Sequence, residues 1–261
     1  MSYKLLSLER DGHIACLTLR RPERGNALSL ALMREITDAV NSFKYDTVSR
    51  VVIFKGEGKH FCVGADLKDE ARWEAENNDS LLMKTRLTQV GRDLIEAILK
   101  MNQISIAAVK GAAAGGGACI LSACDFRIGA KDCVIGYPEV KLGMNLSWGA
   151  LPLCYNLVGP AIAKRMVIGG GLEKADDLLS WGFLDETVAA EQLTFRASEM
   201  AEFYANKPPM ASQMIKRGIN AIQMMSSSVM HMDGDQNTLA ILSDEFKKAR
   251  DEFLNKNKKK K

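Results

Sequence analysis

Apolar positions along this chain switch between two periods. Residues 3–9 and 13–19 alternate apolar and polar, and Asp11-Gly12 separates them. Asp-Gly between two such runs predicts a β-hairpin. Residues 20–26 break the alternation and read as a loop. Leu30, Met33, Ile36, Val40 and Phe43 then recur every three to four residues. That spacing predicts an amphipathic helix, with Ser29 placed to cap it. Residues 51–54 read as a short buried strand. From Met83, apolar residues at 83, 87, 90, 94, 98 and 101 trace one helix face. Residues 104–109 are almost wholly apolar and rich in β-branched side chains, which predicts a buried central strand.

Residues 125–128 and 133–135 predict short strands, and Tyr137-Pro138-Glu139 a turn. Residues 148–157 read as a helix with Pro152 in its first turn. Pro160 opens another helix after Gly159. Residues 169–171 are three glycines in a plain loop, with no strand close before them. Residues 173–181 predict a short helix, and residues 191–206 an amphipathic one that stops before Pro208-Pro209. Residues 210–225 and 230–254 continue the helical pattern. Residues 73–78 read as a polar, mobile stretch. Strands alternate with helices over the first two-thirds, and the last third is all helix. We therefore expect an α/β core over 1–195 and a helical region over 196–261.

The chemistry concentrates at two glycine-bearing turns. Gly115-Gly116-Gly117 follows the central strand and precedes the apolar Ile120-Leu121, so strand, tight turn and helix start follow in order. Glycines let a ligand approach the backbone. A helix N-terminus leaves amides unpaired, and these can hold an anion or a developing negative charge. Close helix–strand packing is an equal reading of the triplet alone. The second turn is GEGKHFCVGAD, residues 56–66. Backbone amides at Gly64-Ala65-Asp66 and at the triplet, if convergent, make an oxyanion hole. Glu139 stands at a turn 23 residues after Gly116. Two amides and one carboxylate suffice for enolate chemistry beside a carbonyl: the amides stabilise the oxyanion and the carboxylate moves the proton.

Composition narrows the alternatives. The chain has 261 residues, 47% hydrophobic and 26% charged, which suits one core-forming domain with a helical appendage. The net charge is +3, and the four lysines at 258–261 account for it, leaving −1 elsewhere. No basic surface is implied, so nucleic acid is not an expected partner. Six cysteines lack C-x-x-C spacing and read as buried thiols in a reducing compartment. The three histidines lack metal-ligand spacing, so no metal is expected. Asp233-Gly234-Asp235-Gln236-Asn237 looks superficially like a calcium loop, but its glycine comes second rather than sixth. No signal-peptide pattern opens the sequence, and no apolar run reaches the roughly 18 residues a membrane span needs. The expected location is cytoplasmic. P-loop, G-x-G-x-x-G in context, H-E-x-x-H and G-x-S-x-G patterns are absent from the sequence.

HFCVGADLK at residues 60–68, the segment GAAAGGG at residues 111–117, and Tyr137-Pro138-Glu139 with Leu142-Gly143 together resemble the crotonase superfamily of enoyl-CoA hydratases and isomerases. Residues 21–28, RPERGNAL, are similar to that family's early acyl-CoA-binding loop. The match runs from about Ile14 to Phe253-x-x-Lys256. The resemblance implies a crotonase-like ββα spiral with a C-terminal trimerisation region, assembled as a homotrimer or a dimer of trimers. It implies an acyl-CoA thioester as substrate, with coenzyme A entering as part of it and no separate cofactor. The amides of Ala65 and Gly116 would hold the thioester oxygen, and Glu139 would serve as acid and base. Contacts to the acyl-CoA would come from Arg24, Ala27 and Leu28, from Gly64, Ala65, Asp66, Leu67 and Lys68, and from Ala112, Gly115, Gly116 and Pro138. Trp148 would line the acyl pocket or fill a helix core. Phe253 and Lys256 would reach the CoA nucleotide of a neighbouring subunit. Asp66 reads first as a helix cap.

The family's two-glutamate hydratases carry a glutamate just after the glycine triplet. Here that position is Cys119, which reads as a small packed hydrophobe. One carboxylate favours moving a double bond from the 3- to the 2-position of an enoyl-CoA. Single-glutamate hydration of a cyclic, branched or aryl acyl group is the alternative, as is a binding protein that has lost the chemistry.

Overall fold

A computed structural model describes residues 3–71, 80–224 and 231–258. The polar stretch at 73–78 and the last three lysines of the tail lie outside the described residues. The Asp11-Gly12 turn forms as expected: β1 (Leu6–Asp11) pairs antiparallel with β2 (Ile14–Leu19), and Gly12 takes a φ of 53°. All further pairing in this sheet is parallel. β3 (Val51–Gly56), β4 (Ile104–Val109), β6 (Phe126–Ala130) and β9 (Glu186–Val188) complete the order β1-β2-β3-β4-β6-β9. All six residues of β4 are buried, which is why it reads as a continuous apolar run rather than an alternating one.

A second, smaller sheet carries the site. Its order is β5-β7-β8, with β5 (Ala112–Ala114), β7 (Val134–Gly136) and β8 (Glu173–Lys174). Alanine is a poor strand former, and the three alanines read as a turn in sequence. Pairing with β7 makes them a strand. Residues 173–181 were expected to be helical throughout. Glu173 and Lys174 instead pair with β7, and the helix covers only Ala175–Ser180.

Helix α1 (Leu30–Asn41) is capped by Ser29, whose Oγ accepts the Leu32 N–H. α2 (Leu81–Lys100) buries Gly91, Leu94, Ile95 and Ile98. Met83 is exposed, so the expected stripe packs only further along the helix. α3 (Gly116–Ala123) is buried along its whole length. α4 (Ala150–Gly169) starts two residues later than the pattern predicts and breaks at Gly159, where Pro160 begins its second half. The short helix α5 is Ala175–Ser180. The expected division at residue 195 falls inside α6 (Leu193–Ala205), which packs on β3 and β4. α7 (Pro209–Met224) follows, and then α8 (Asp233–Leu242) and α9 (Asp244–Lys258) divide at Ser243. Among the described residues, no helix is long and apolar enough to cross a membrane.

The loops leading to the site are tied together by Asn26. It is fully buried and left-handed, with a φ of 56°, a conformation asparagine tolerates better than most residues. Its Oδ1 accepts the Arg21 N–H, and its Nδ2 donates to the carbonyls of Glu57 and His60. Arg21 in turn pairs with Asp66 at 2.9 Å. One asparagine and one ion pair thus join the loop after β2 to the loop after β3.

Candidate active site

Backbone register brings the two glycine-bearing turns level. Cys62 bridges Ala113 in parallel: its N–H donates to the Ala112 carbonyl, and its carbonyl accepts the Ala114 N–H. Three residues further along each strand stand Ala65 and Gly116. Gly64 and Gly115, with φ of 99° and 52°, make the close approach. A Cβ on Gly64 would lie 2.9 Å from the Ala114 carbonyl oxygen.

Both amides are left without partners. Leu28 bridges Ala65 through the neighbouring groups: the Leu28 N–H donates to the Gly64 carbonyl, and the Asp66 N–H donates to the Leu28 carbonyl. The Ala65 N–H faces the other way. Gly116 is the first residue of α3, so its amide is one of the helix's orphans. Among the described residues, neither amide donates to a protein acceptor. This arrangement can receive an oxyanion.

The second sheet delivers the carboxylate. Ala114 is level with Gly136 across the β5–β7 pair, and the Gly115 N–H donates to the Gly136 carbonyl. The chain leaving β7 forms a 3-10 turn over Pro138–Leu142. Glu139 on that turn reaches back over the triplet, and a Cβ on Gly115 would lie 2.8 Å from its Oε1. Its Oε2 is buried and makes no hydrogen bond. Burial disfavours the charged form and outweighs the hydrogen bond from Glu139's own backbone N–H, so the Glu139 carboxyl is pushed up from 4.5 to about 7.

That shift has a sign for stability. The folded chain holds the Glu139 proton more tightly than the unfolded chain does. The stabilisation is complete below the unfolded pKa of 4.5 and is lost as pH rises through about 7. Glu139→Gln removes the titration. The stability of the variant relative to the parent is therefore expected to rise by about 2–3 kcal/mol between pH 5 and pH 8, read by denaturant unfolding at both values. A difference independent of pH would mean the carboxylate is solvated.

A cavity of about 270 Å³ contains these groups. Val63, Gly64, Ala65 and Leu67 line one side; Gly115, Gly116, Cys119, Pro138 and Glu139 line another. Lys141, Leu142, Met144, Leu146, Ser147 and Trp148 continue the wall, and Asn237 and Phe253 close it from the C-terminal helices. Glu139 is the sole carboxylate among these lining residues. The Cys119 thiol is raised well above its ordinary value, by burial first and then by the neighbouring Glu139 charge. It is a protonated thiol at neutral pH and does not replace a second carboxylate.

Trp148 is held in a slot made by two absent side chains. A Cβ on Gly91 of α2 would lie 1.9 Å from its Cε2, and one on Gly116 would lie 2.5 Å from its Cζ3. The indole therefore stacks on the turn that carries one of the two amides. Its backbone is left-handed, with a φ of 64°, which explains why α4 begins only at Ala150.

Several residues expected at the site stand elsewhere. Arg24 and Lys68 are exposed and do not line the cavity. Ala27 is buried, and its carbonyl accepts from the Arg21 guanidinium. Leu28 sits behind Gly116, with its Cδ1 where a Cβ there would fall. Asp66 does not cap a helix as expected: residues 67–68 form a turn, and its carboxylate accepts from Arg21 and from the Lys68 N–H. The Ala112 N–H donates to His60 Nδ1, away from the cavity. Phe253 lines the cavity of its own chain, whereas the resemblance placed it at a neighbour's. The physical reason is the turn at Ser243, which folds α9 back onto the Pro138–Leu142 segment with Phe246 buried between them. The Lys256 side chain lies outside the described ones. Sequence reasoning missed Met144, Leu146 and Ser147, together with Asn237, Val63 and Lys141. The first three follow Glu139 within one loop, but no local pattern points to Asn237. Among the described residues, no cluster of three or more His, Cys, Asp or Glu could hold a metal ion.

A family model described as "Enoyl-CoA hydratase/isomerase" matches residues 9–260. The chain belongs to this family of enzymes. Among its relatives in the enoyl-CoA hydratase/isomerase family is a "Crotonyl-CoA hydratase" of Syntrophomonas wolfei, 30% identical over 260 residues, with 99% of this chain and 98% of the relative covered. A "Carnitinyl-CoA dehydratase" of Salmonella paratyphi A is 33% identical over 221 residues, covering 84% and 82%. The solved enoyl-CoA hydratase of Mycobacterium avium subsp. paratuberculosis K-10 shares the fold, with a TM-score of 0.87 at 21% identity over 98% of this chain and 97% of that one. Membership in the enoyl-CoA hydratase/isomerase family agrees with the mixed α/β crotonase-like core.

Proposed function

We propose that the chain acts on an enoyl-CoA thioester through an enolate, with Glu139 as its single acid and base. The observation that carries this is the buried, unpartnered Oε2 of Glu139 beside two unpartnered amides, all in one cavity. The Ala65 and Gly116 amides hold the thioester oxygen. Glu139 takes a proton from the α-carbon of a 3-enoyl thioester, the electron pair moves onto the oxygen, and the proton returns at the γ-carbon. The double bond arrives between the α- and β-carbons, and no second proton carrier is needed. A carboxyl raised to about 7 suits both halves, since neither protonation state is strongly favoured near neutral pH. Coenzyme A enters as part of the substrate. A homotrimer or dimer of trimers belongs to the same proposal, supported by the exposed Met214, Ile215, Ile219 and Ile222 of α7.

Hydration is the second reading. The relatives named for hydratase and dehydratase activity favour it. The protonated Cys119 at the cavity wall speaks against a water held between two carboxylates. Incubation with straight, cyclic and branched 2-enoyl- and 3-enoyl-CoA esters in heavy water separates the two. Deuterium at the α- or γ-carbon with no gain of water is the expected result. Gain of water across the panel makes the chain a single-glutamate hydratase. No deuterium and no gain of water with any ester sinks the enolate.

A further inference from the structure

The wall that carries Trp148 is fastened at both ends by helix α8. At one end the Gly149 N–H donates to Asp233 Oδ2 at 2.6 Å. Asp233 is 2% exposed, and its Oδ1 lies 3.7 Å from Arg92 Nη1 on α2. At the other end Asn237 Nδ2 donates to Asn145 Oδ1, and Asn145 Nδ2 donates to the Asp233 carbonyl and to Gln236 Oε1, each at 3.4 Å. Between the two fastenings stand Leu146, Ser147 and Trp148, all lining the cavity. α8 is itself seated closely on α2: a Cβ on Gly234 would lie 2.6 Å from Gln89 Nε2.

Trp148 needs such a fastening. A bulky residue with a φ of 64° is strained and persists only where its surroundings over-determine it. Its indole is slotted between Gly91 and Gly116, and its carboxyl-side neighbour is pinned by a buried carboxylate. An acyl group leaving a carbonyl held at Gly116 meets that indole within its first few carbons.

We infer that Asp233 is a positioning residue: by holding Gly149 it sets Trp148 as the wall that limits the acyl group to short chains. The C-terminal helices thereby determine acyl selectivity without touching the reacting atoms. This rests on the acyl-thioester reading above.

The test uses saturated esters, which bind without proton transfer. Dissociation constants for butanoyl-CoA and decanoyl-CoA are measured by calorimetry on the full chain and on Trp148→Ala, Asp233→Ala and the double variant. The parent is expected to prefer butanoyl-CoA. Trp148→Ala is expected to shift the ratio toward decanoyl-CoA by about tenfold, the scale of apolar-pocket discrimination. Asp233→Ala shifts it the same way by about three- to tenfold, and the double variant goes no further than Trp148→Ala, because the two act through one element. Asp233→Asn, which keeps an oxygen for the Gly149 N–H, lies nearer the parent and carries the same cycle should Asp233→Ala not fold. Equal weakening of both esters by Asp233→Ala, or a shift that adds to that of Trp148→Ala, overturns the inference. A selectivity shift as expected, in a parent chain that turns over no enoyl-CoA ester in the heavy-water panel, overturns the reaction reading alone. Failure of either ester to bind overturns both.

Discussion

Glu139→Gln is expected to lower kcat by about 10²–10⁴ while leaving the affinity for a saturated acyl-CoA unchanged. The substitution conserves volume, so the cavity keeps its shape. Near neutral pH it also removes a buried charge rather than creating one, and the fold does not suffer. What disappears is the capacity to accept and return a proton. Single-turnover kinetics on a 3-enoyl thioester, paired with calorimetric binding, separate the two effects. Turnover that survives in Glu139→Gln removes the carboxylate from the mechanism. The parent's pH profile carries the same signature. The first step needs the carboxylate, so kcat/KM rises about tenfold per unit below the Glu139 pKa of about 7 and levels above it. Without burial the break would fall near the ordinary 4.5.

How much of this was legible in sequence depends on whether a feature is local. The Asp11-Gly12 hairpin, the Ser29 cap and the apolar β4 run are written in neighbouring residues, and each formed where expected. β5 and β8 are strands only because β7 lies beside them, and nothing in Ala112–Ala114 or Glu173–Lys174 announces that. The start of α4 was misplaced because Trp148 looks like a helix residue. Its backbone is left-handed, and the next N–H, at Gly149, is held by a carboxylate far along the chain. The segment from Asp233 resembled a poor calcium loop; instead it begins α8 and clasps the pocket wall. The site divides in the same way. Ala65, Gly116 and Glu139 were placed by resemblance and by the chemistry they could perform. Their convergence follows from two registers, Cys62 against Ala113 and Ala114 against Gly136, which no single segment encodes.

Those registers locate the second large effect, at Gly117, which is neither a proposed donor nor a lining residue. A Cβ there would lie 2.3 Å from the Cys62 carbonyl oxygen and 3.0 Å from the Cys62 Cβ. That carbonyl is backbone and already accepts the Ala114 N–H at 2.9 Å, so it has no freedom to yield. A methyl at Gly117 must part the two turns at the point that keeps Ala65 level with Gly116. Gly117→Ala is expected to lower kcat/KM by about 10²–10³, the loss typical of one misplaced oxyanion donor. It is also expected to cost about 1–3 kcal/mol of stability, as overpacking does. Glu139 hangs from the second sheet rather than from Cys62, so the break in the pH profile stays near 7. Gly116→Ala makes the contrast. Its added Cβ meets the Trp148 ring and Leu28 Cδ1 rather than backbone, so it presses on the acyl wall and not on the register of the two turns, and its effect falls on acyl selectivity more than on rate. Kinetics across pH on folded Gly117→Ala, with melting curves beside them, decide the matter. A rate within twofold of the parent would show that the amides keep their place without that contact, and the shared oxyanion would lose its structural basis.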